Sequence, residues 1–221
     1  MESEYATTTS GRQIIVNGDG TWVTSGEPDL ASPPTPAVSA SDSASASAAA
    51  SGEATSFRRS SWGDSRAMVV QAEGKDPDRS TPEFIAYETR LAGLGVLSLF
   101  TFVGDRLVRG RYAVTEPHTD DNAYLRDFDS LAELLAKKYG DPHDSQTIWH
   151  DDLYQDDPSD WGMAVSSGHL VRWHKWTVGG TEVTLILMGD NYEVSLYVDY
   201  VSLELGGLEN EANESAALED L

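Results

Sequence analysis

Asp151, Asp152, Asp156, Asp157 and Asp160 fall in one short stretch, HDDLYQDDPSD, and make the densest carboxylate cluster in the chain. Hard cations such as calcium take about six to eight oxygen ligands, and these five side chains could supply several. Their spacing fits no calcium-loop pattern, so the residues read first as a solvated acidic connection and second as a metal site. The histidines (His118, His143, His150, His169 and His174) show no HExxH or HxH spacing, which leaves a zinc hydrolase without support. Ser166, His169 and Asp160 are of the right types for a nucleophile, base and orienting acid, but no GxSxG elbow accompanies them. The aromatic residues are the better candidates. Trp149, Tyr154 and Trp161 flank or interrupt the acidic stretch, with Trp173 and Trp176 following. Trp173 is opposite in strand phase to His174 and Trp176, so one strand cannot bury all three on one face. An aromatic ring left at a rim is suited to recognition. Trp149, Tyr154, Trp161 and Trp173 are accordingly the expected binding residues.

No GxxxxGK[ST] or GxGxxG is present, and cysteine is absent. Thiol catalysis, disulfides and Cys-ligated zinc are thereby excluded, and no nucleotide cofactor is indicated. The expectation is a binding module with no cofactor and no catalytic residue. Its alternative is a calcium-binding protein or metal-assisted hydrolase using residues 151–160.

These side chains need a frame. The stretch Trp161–Tyr200 reads as four consecutive antiparallel strands, cut at Ser167-Gly168, Gly179-Gly180 and Gly189-Asp190-Asn191. Val183, Leu185 and Leu187 share one face, as do Val194, Leu196 and Val198. Such a face must be covered. One cover is a helix from about residues 120–122 to Tyr139, with Tyr124, Phe128, Leu131, Leu135 and Tyr139 on one stripe, acidic residues in its first turn and Gly140 as its stop. A shorter helix begins at Asp64 or Ser65, turns Met68, Val69 and Ala72 inward, and ends at Gly74. Strands are predicted at Phe84–Leu91, Gly95–Val103 and Arg106–Thr115, the last two joined across Gly104-Asp105, and near Thr147–His150. Both helices end in Gly followed by Asp-Pro, at Asp76-Pro77 and Asp141-Pro142, and strands follow both. The expected fold is α+β: two helices on a curved antiparallel meander sheet, with a tandem helix-plus-strands repeat as one reading.

Four segments are expected: a leader (1–24) with a hairpin around Asn17-Gly18-Asp19-Gly20, a disordered Ala/Ser/Pro-rich linker (25–56), the α+β domain (57–205) and a mobile acidic tail (206–221). Formal net charge is −22 with 15 Lys and Arg. Setting aside seven acids and one base in residues 1–56 and five acids in residues 206–221 leaves −11 on the expected domain. Nucleic acid is disfavoured as a partner because phosphate contacts rest on Lys and Arg. No membrane insertion is expected, since the longest apolar run, Leu94–Val103, is too short to span a bilayer. A salt-adapted surface suits the scarcity of Lys. The partner is expected to be a protein or small ligand of unknown identity.

The strings WHDDLYQDDPSDWGMAVSSGHLVRW, TEVTLILMGDNYEVSLYVDYVS and FRRSSWGDS resemble an uncharacterised family of bacterial domains, often found behind a signal peptide or lipoprotein leader. GRQIIVNGDGTW looks like a segment common near the mature start of envelope proteins. The resemblance implies an envelope location if a signal sequence is missing, and a cytoplasmic one if Met1 is the true start. The layout is similar to the β-lactamase-inhibitor-protein-like fold, which implies partner binding without catalysis.

Overall fold

Four dipeptides set the frame of this molecule. Ala92-Gly93, Gly104-Asp105, Gly179-Gly180 and Asn191-Tyr192 each place both residues in the left-handed region, with φ between 50° and 90°. Two such residues form the tight turn whose twist matches that of the flanking strands. In the computed structural model, which describes residues 4–7, 13–16, 22–24 and 56–209, every one of these turns closes an antiparallel hairpin.

The chain divides into two units, Met1–Ser47 and Ala48–Leu221. In the first, β1 (Glu4–Thr7), β2 (Gln13–Val16) and β3 (Trp22–Thr24) form an antiparallel sheet in that order. The apolar segments on either side of Asn17–Gly20 therefore pair, as their turn chemistry predicts. The expected linker, apart from Ser56, lies outside the described residues, as does the tail beyond Glu209.

The described part of the second unit starts with a two-stranded hairpin, β4 (Ser56–Phe57) and β5 (Ser60–Ser61), followed by α1 (Arg66–Glu73). Then come β6 (Arg79–Ser80), β7 (Phe84–Leu91), β8 (Leu94–Val103) and β9 (Arg106–Val114). The second half begins with α2 (Asn122–Tyr139) and β10 (Asp144–Trp149), followed by a 3-10 turn at Pro158–Asp160 and α3 (Trp161–Ser166). It ends with β11 (Leu170–Val178), β12 (Thr181–Asp190) and β13 (Glu193–Ser202). The open eight-stranded sheet runs β10-β11-β12-β13-β9-β8-β7-β6. This is the expected α+β fold, with helices on an antiparallel meander. Each half contributes a helix and four strands in the same order, and the two halves join through their last strands, β9 and β13. At that seam Arg111 stands opposite Asp199 and forks onto its carboxylate at 2.6 and 2.7 Å.

One face of the sheet and the helices enclose a single core that includes Phe57, Val69, Phe100, Phe128, Leu131, Trp176, Leu185 and Val198. On α2, Leu125, Phe128, Leu131 and Leu135 are buried. Tyr124 and Tyr139, at the ends of the predicted stripe, are partly buried against the core. Val183, Leu185 and Leu187 on β12 are fully buried, and Leu196 and Val198 answer them on β13.

Four expectations need correction. Trp161–Ser166 is a helix, so the stretch to Tyr200 holds three strands and not four. A six-residue apolar run has no period of its own that separates helix from strand, and here packing against α2 and β12 decides. The last hairpin turns at Asn191-Tyr192, one residue beyond the expected tripeptide, because Asp190 still pairs with Glu193. Met68 is 53% exposed. The inner face of α1 belongs to Val69 and to Glu73, whose carboxylate takes a two-pronged bond from Arg58 at 2.8 Å on both arms. Lastly, Asp120 and Asp121 precede α2 and do not lie in its first turn; Asp120 accepts the Asn122 amide at 3.0 Å.

Candidate functional site

The two halves differ in one connection. Residues 81–83 suffice to pass from β6 to β7, whereas residues 150–169 pass from β10 to β11. The longer connection contains the whole acidic stretch, the 3-10 turn and α3.

Its position is set from α2. Asn122 accepts the Gly162 amide at 2.9 Å through its side-chain oxygen and donates its side-chain NH2 to the Ser159 carbonyl. The Ser166 hydroxyl is 2.9 Å from the Asp121 carboxylate. Two glycines allow the close approach. A Cβ on Gly162 would lie 2.4 Å from the Asn122 amide nitrogen, and one on Gly189 of β12 would lie 2.4 Å from the Val165 carbonyl oxygen. A side chain at either position would force α3 off its seat.

On this seat the aromatic residues come together. Trp149 and Trp161 meet edge to face with centroids 5.5 Å apart. The Trp161 indole N–H donates to the Gln155 carbonyl at 3.1 Å. Tyr154 lies against His169, ring centres 5.5 Å apart. All three are half-buried against the core edge, while Leu153 between them is 68% exposed. Met163, on the first turn of α3, is also exposed. Trp173 is elsewhere: it pairs with Gln146 and Ile186 and so faces away from His174 and Trp176, with the Lys175 ammonium 5.9 Å from its ring centre.

Two carboxylates of the connection, Asp151 and Asp157, are turned to local work. Asp157 accepts the amide and hydroxyl of Ser159 at 2.9 and 2.7 Å, which holds its acid below the ordinary carboxylate range. Asp151 accepts the Leu153 amide at 2.9 Å and lies 3.8 Å from His169 Nδ1. Asp152, Asp156 and Asp160 are exposed. Among the described residues no three His, Asp or Glu side chains converge on a point that could hold a metal ion. Nor do Ser166, His169 and Asp160 assemble, since the Ser166 hydroxyl is engaged with Asp121 and the Met163 carbonyl. Asp121, Asn122, Leu153 and Met163 carried no signal in the sequence beyond a helix start and isolated apolar residues.

The chain matches no protein-family model and no curated protein. Among solved structures it is similar to a DUF4309 family protein (YjgB) from Bacillus subtilis, at 15% identity and a TM-score of 0.34 over 62% of this chain and 78% of that one. A likeness of that size assigns neither fold nor function. Among the described residues no helix is long and apolar enough to cross a membrane.

Proposed function

We propose that the second unit is a non-catalytic binding module and that the connection of residues 150–169 is its protein-binding surface. The observation that carries this reading is the disparity between the halves: three residues close the sheet in one, and the other spends an ordered segment on the same task. That segment exposes Leu153, next in the chain to the half-buried Tyr154, sets Trp161 against Trp149, and carries the exposed Asp152, Asp156 and Asp160. An apolar and aromatic centre with a polar rim is the composition of protein interfaces. The aspartates steer and orient in this reading, without bonding to a metal. The similarity of layout to the β-lactamase-inhibitor-protein-like fold, whose members bind partners, is consistent with it as analogy.

Site-specific photo-crosslinking tests the surface. A photoreactive residue at Leu153 in the full chain should yield a discrete adduct in the native host's extract, and the same residue at Met68, also exposed, should not. Equal adducts at both positions, or none at Leu153, would remove the assignment.

A further inference from the structure

β10 is an outer strand of the eight-stranded sheet; among the described residues no strand pairs with its outer edge, which at six residues is long enough to bind. Its residues pair with β11 from Asp144 opposite Lys175 to Trp149 opposite Leu170, and the His150 amide continues the ladder to the His169 carbonyl at 2.8 Å. Backbone groups alternate in direction along a strand. With His150 bonded inward, Ser145, Thr147 and Trp149 turn their amide and carbonyl groups away from β11. Ser145 and Thr147 are exposed. The opposite edge strand, β6, has only two residues and offers no comparable template.

Exposed edges are ordinarily guarded by Lys, Pro or a bulge. Ser145–Trp149 contains no Lys, no Pro and no charged residue and pairs with β11 in unbroken register; the doubled approach of His143 and Asp144 to Lys175 lies before it. The surrounding charge has one sign: from Gly140 to Val171 the chain carries Asp and no Lys or Arg. Asp144 begins the strand, and Asp151 and Asp152 follow its end. The two cations on the paired strand β11 are already countered, Arg172 by Asp129 at 2.9 Å and Lys175 by Glu182 at 3.1 Å.

We infer that β10 is a docking edge for a basic, extended peptide segment of the partner, which joins the sheet as an added strand. The inference rests on the reading of the neighbouring connection as a partner surface and names how the partner is held. Main-chain hydrogen bonds to Ser145 and Thr147 give affinity, and Lys or Arg side chains meet Asp144, Asp151 and Asp152. Like charge opposes a second copy of this chain at the same edge, since each copy would bring its own aspartates.

A synthetic peptide of alternating Lys and Val, about seven residues long, matches a strand of roughly 20 Å and serves as the probe for the full chain. It should produce a saturable change in tryptophan fluorescence and slow amide exchange at Ser145 and Thr147 by at least about tenfold, an effect weakened by salt. A Glu/Val peptide, and a Lys/Val peptide methylated at every backbone amide, should do neither. Thr147→Pro removes only an outward amide, which edge strands tolerate; it should abolish both signals and leave the melting transition in place. Binding by the methylated peptide, binding by a folded Thr147→Pro chain, or no binding at all would overturn the inference. Protection of the 151–157 segment without protection of Ser145 and Thr147 would overturn it and leave the partner surface standing. Protection that grows with protein concentration in the absence of peptide would assign the edge to a second copy and overturn it as well.

Discussion

The two halves of the sheet carry the same elements in the same order, yet only one carries an ordered excursion. In the first half β6, β7, β8 and β9 follow α1 with short links throughout. In the second, residues 150–169 interrupt the same progression and bring Trp149, Tyr154 and Trp161 to one edge. The first half therefore shows what the fold itself requires, and the excess in the second shows what it does not. Structural demand explains the hairpins, the helices and the core. It does not explain an exposed Leu153 beside half-buried aromatic rings, and that remainder is where function is sought.

Two glycines separate the frame from the connection. A Cβ on Gly110 of β9 would lie 2.1 Å from the Phe57 ring, which is packed among Phe100, Tyr112 and Tyr200. Gly110→Val should destabilise the whole domain by about 3 kcal/mol or more, at or beyond the upper end of ordinary overpacking, seen as a lower denaturant midpoint. Gly162→Val strikes only the seat of α3, and hydrogen exchange should rise first in residues 150–169 while the strands stay protected. If both variants loosened the entire sheet alike, the connection would belong to the frame.

Next in size is the core of α2. Leu131→Ala should cost about 2–5 kcal/mol, whereas Glu133→Ala, on the exposed face, should shift stability by no more than about 0.5 kcal/mol in chemical denaturation. Comparable losses would contradict the burial of this stripe.

Acid should act through His174. Burial, with Phe128 and Trp176 close by, and then the Arg172 guanidinium hold its imidazole below the ordinary histidine range, with Asp129 opposing. The unfolded chain takes up the proton near pH 6.5 and the folded chain resists it, so the unfolded state binds more protons as pH falls. Stability is intact above that value and declines as pH drops through the lower folded one. Melting curves of His174→Phe should be flatter across this window than those of the parent. An unchanged slope would place the acid sensitivity elsewhere.

Much of the frame was legible in the sequence because its determinants are local. Gly104-Asp105 and Gly179-Gly180 announce hairpins by their backbone freedom, and Phe128, Leu131 and Leu135 announce a helix by their spacing. The separation of Trp173 from Trp176 followed from strand phase alone. Trp161–Ser166 was not legible as a helix, because what makes it one is distant in sequence: the Asn122 and Asp121 side chains and the space left by Gly162 and Gly189. For the same reason the sequence does not show the meeting of Trp149 with Trp161, although each ring stands out by its place beside the acidic stretch. The pairing of Glu73 with Arg58 is likewise a contact that periodicity does not encode.

If the connection binds while the frame supports it, exposed side chains in the two regions differ in what they do. Leu153→Ser and Leu203→Ser compare the two directly, since both side chains are more than half exposed and neither is part of the core. Partner capture by each full-length variant should be measured beside its melting temperature. Leu153→Ser should lose capture at an unchanged melting temperature, and Leu203→Ser should keep both. Undiminished capture by a folded Leu153→Ser chain would contradict binding by the connection.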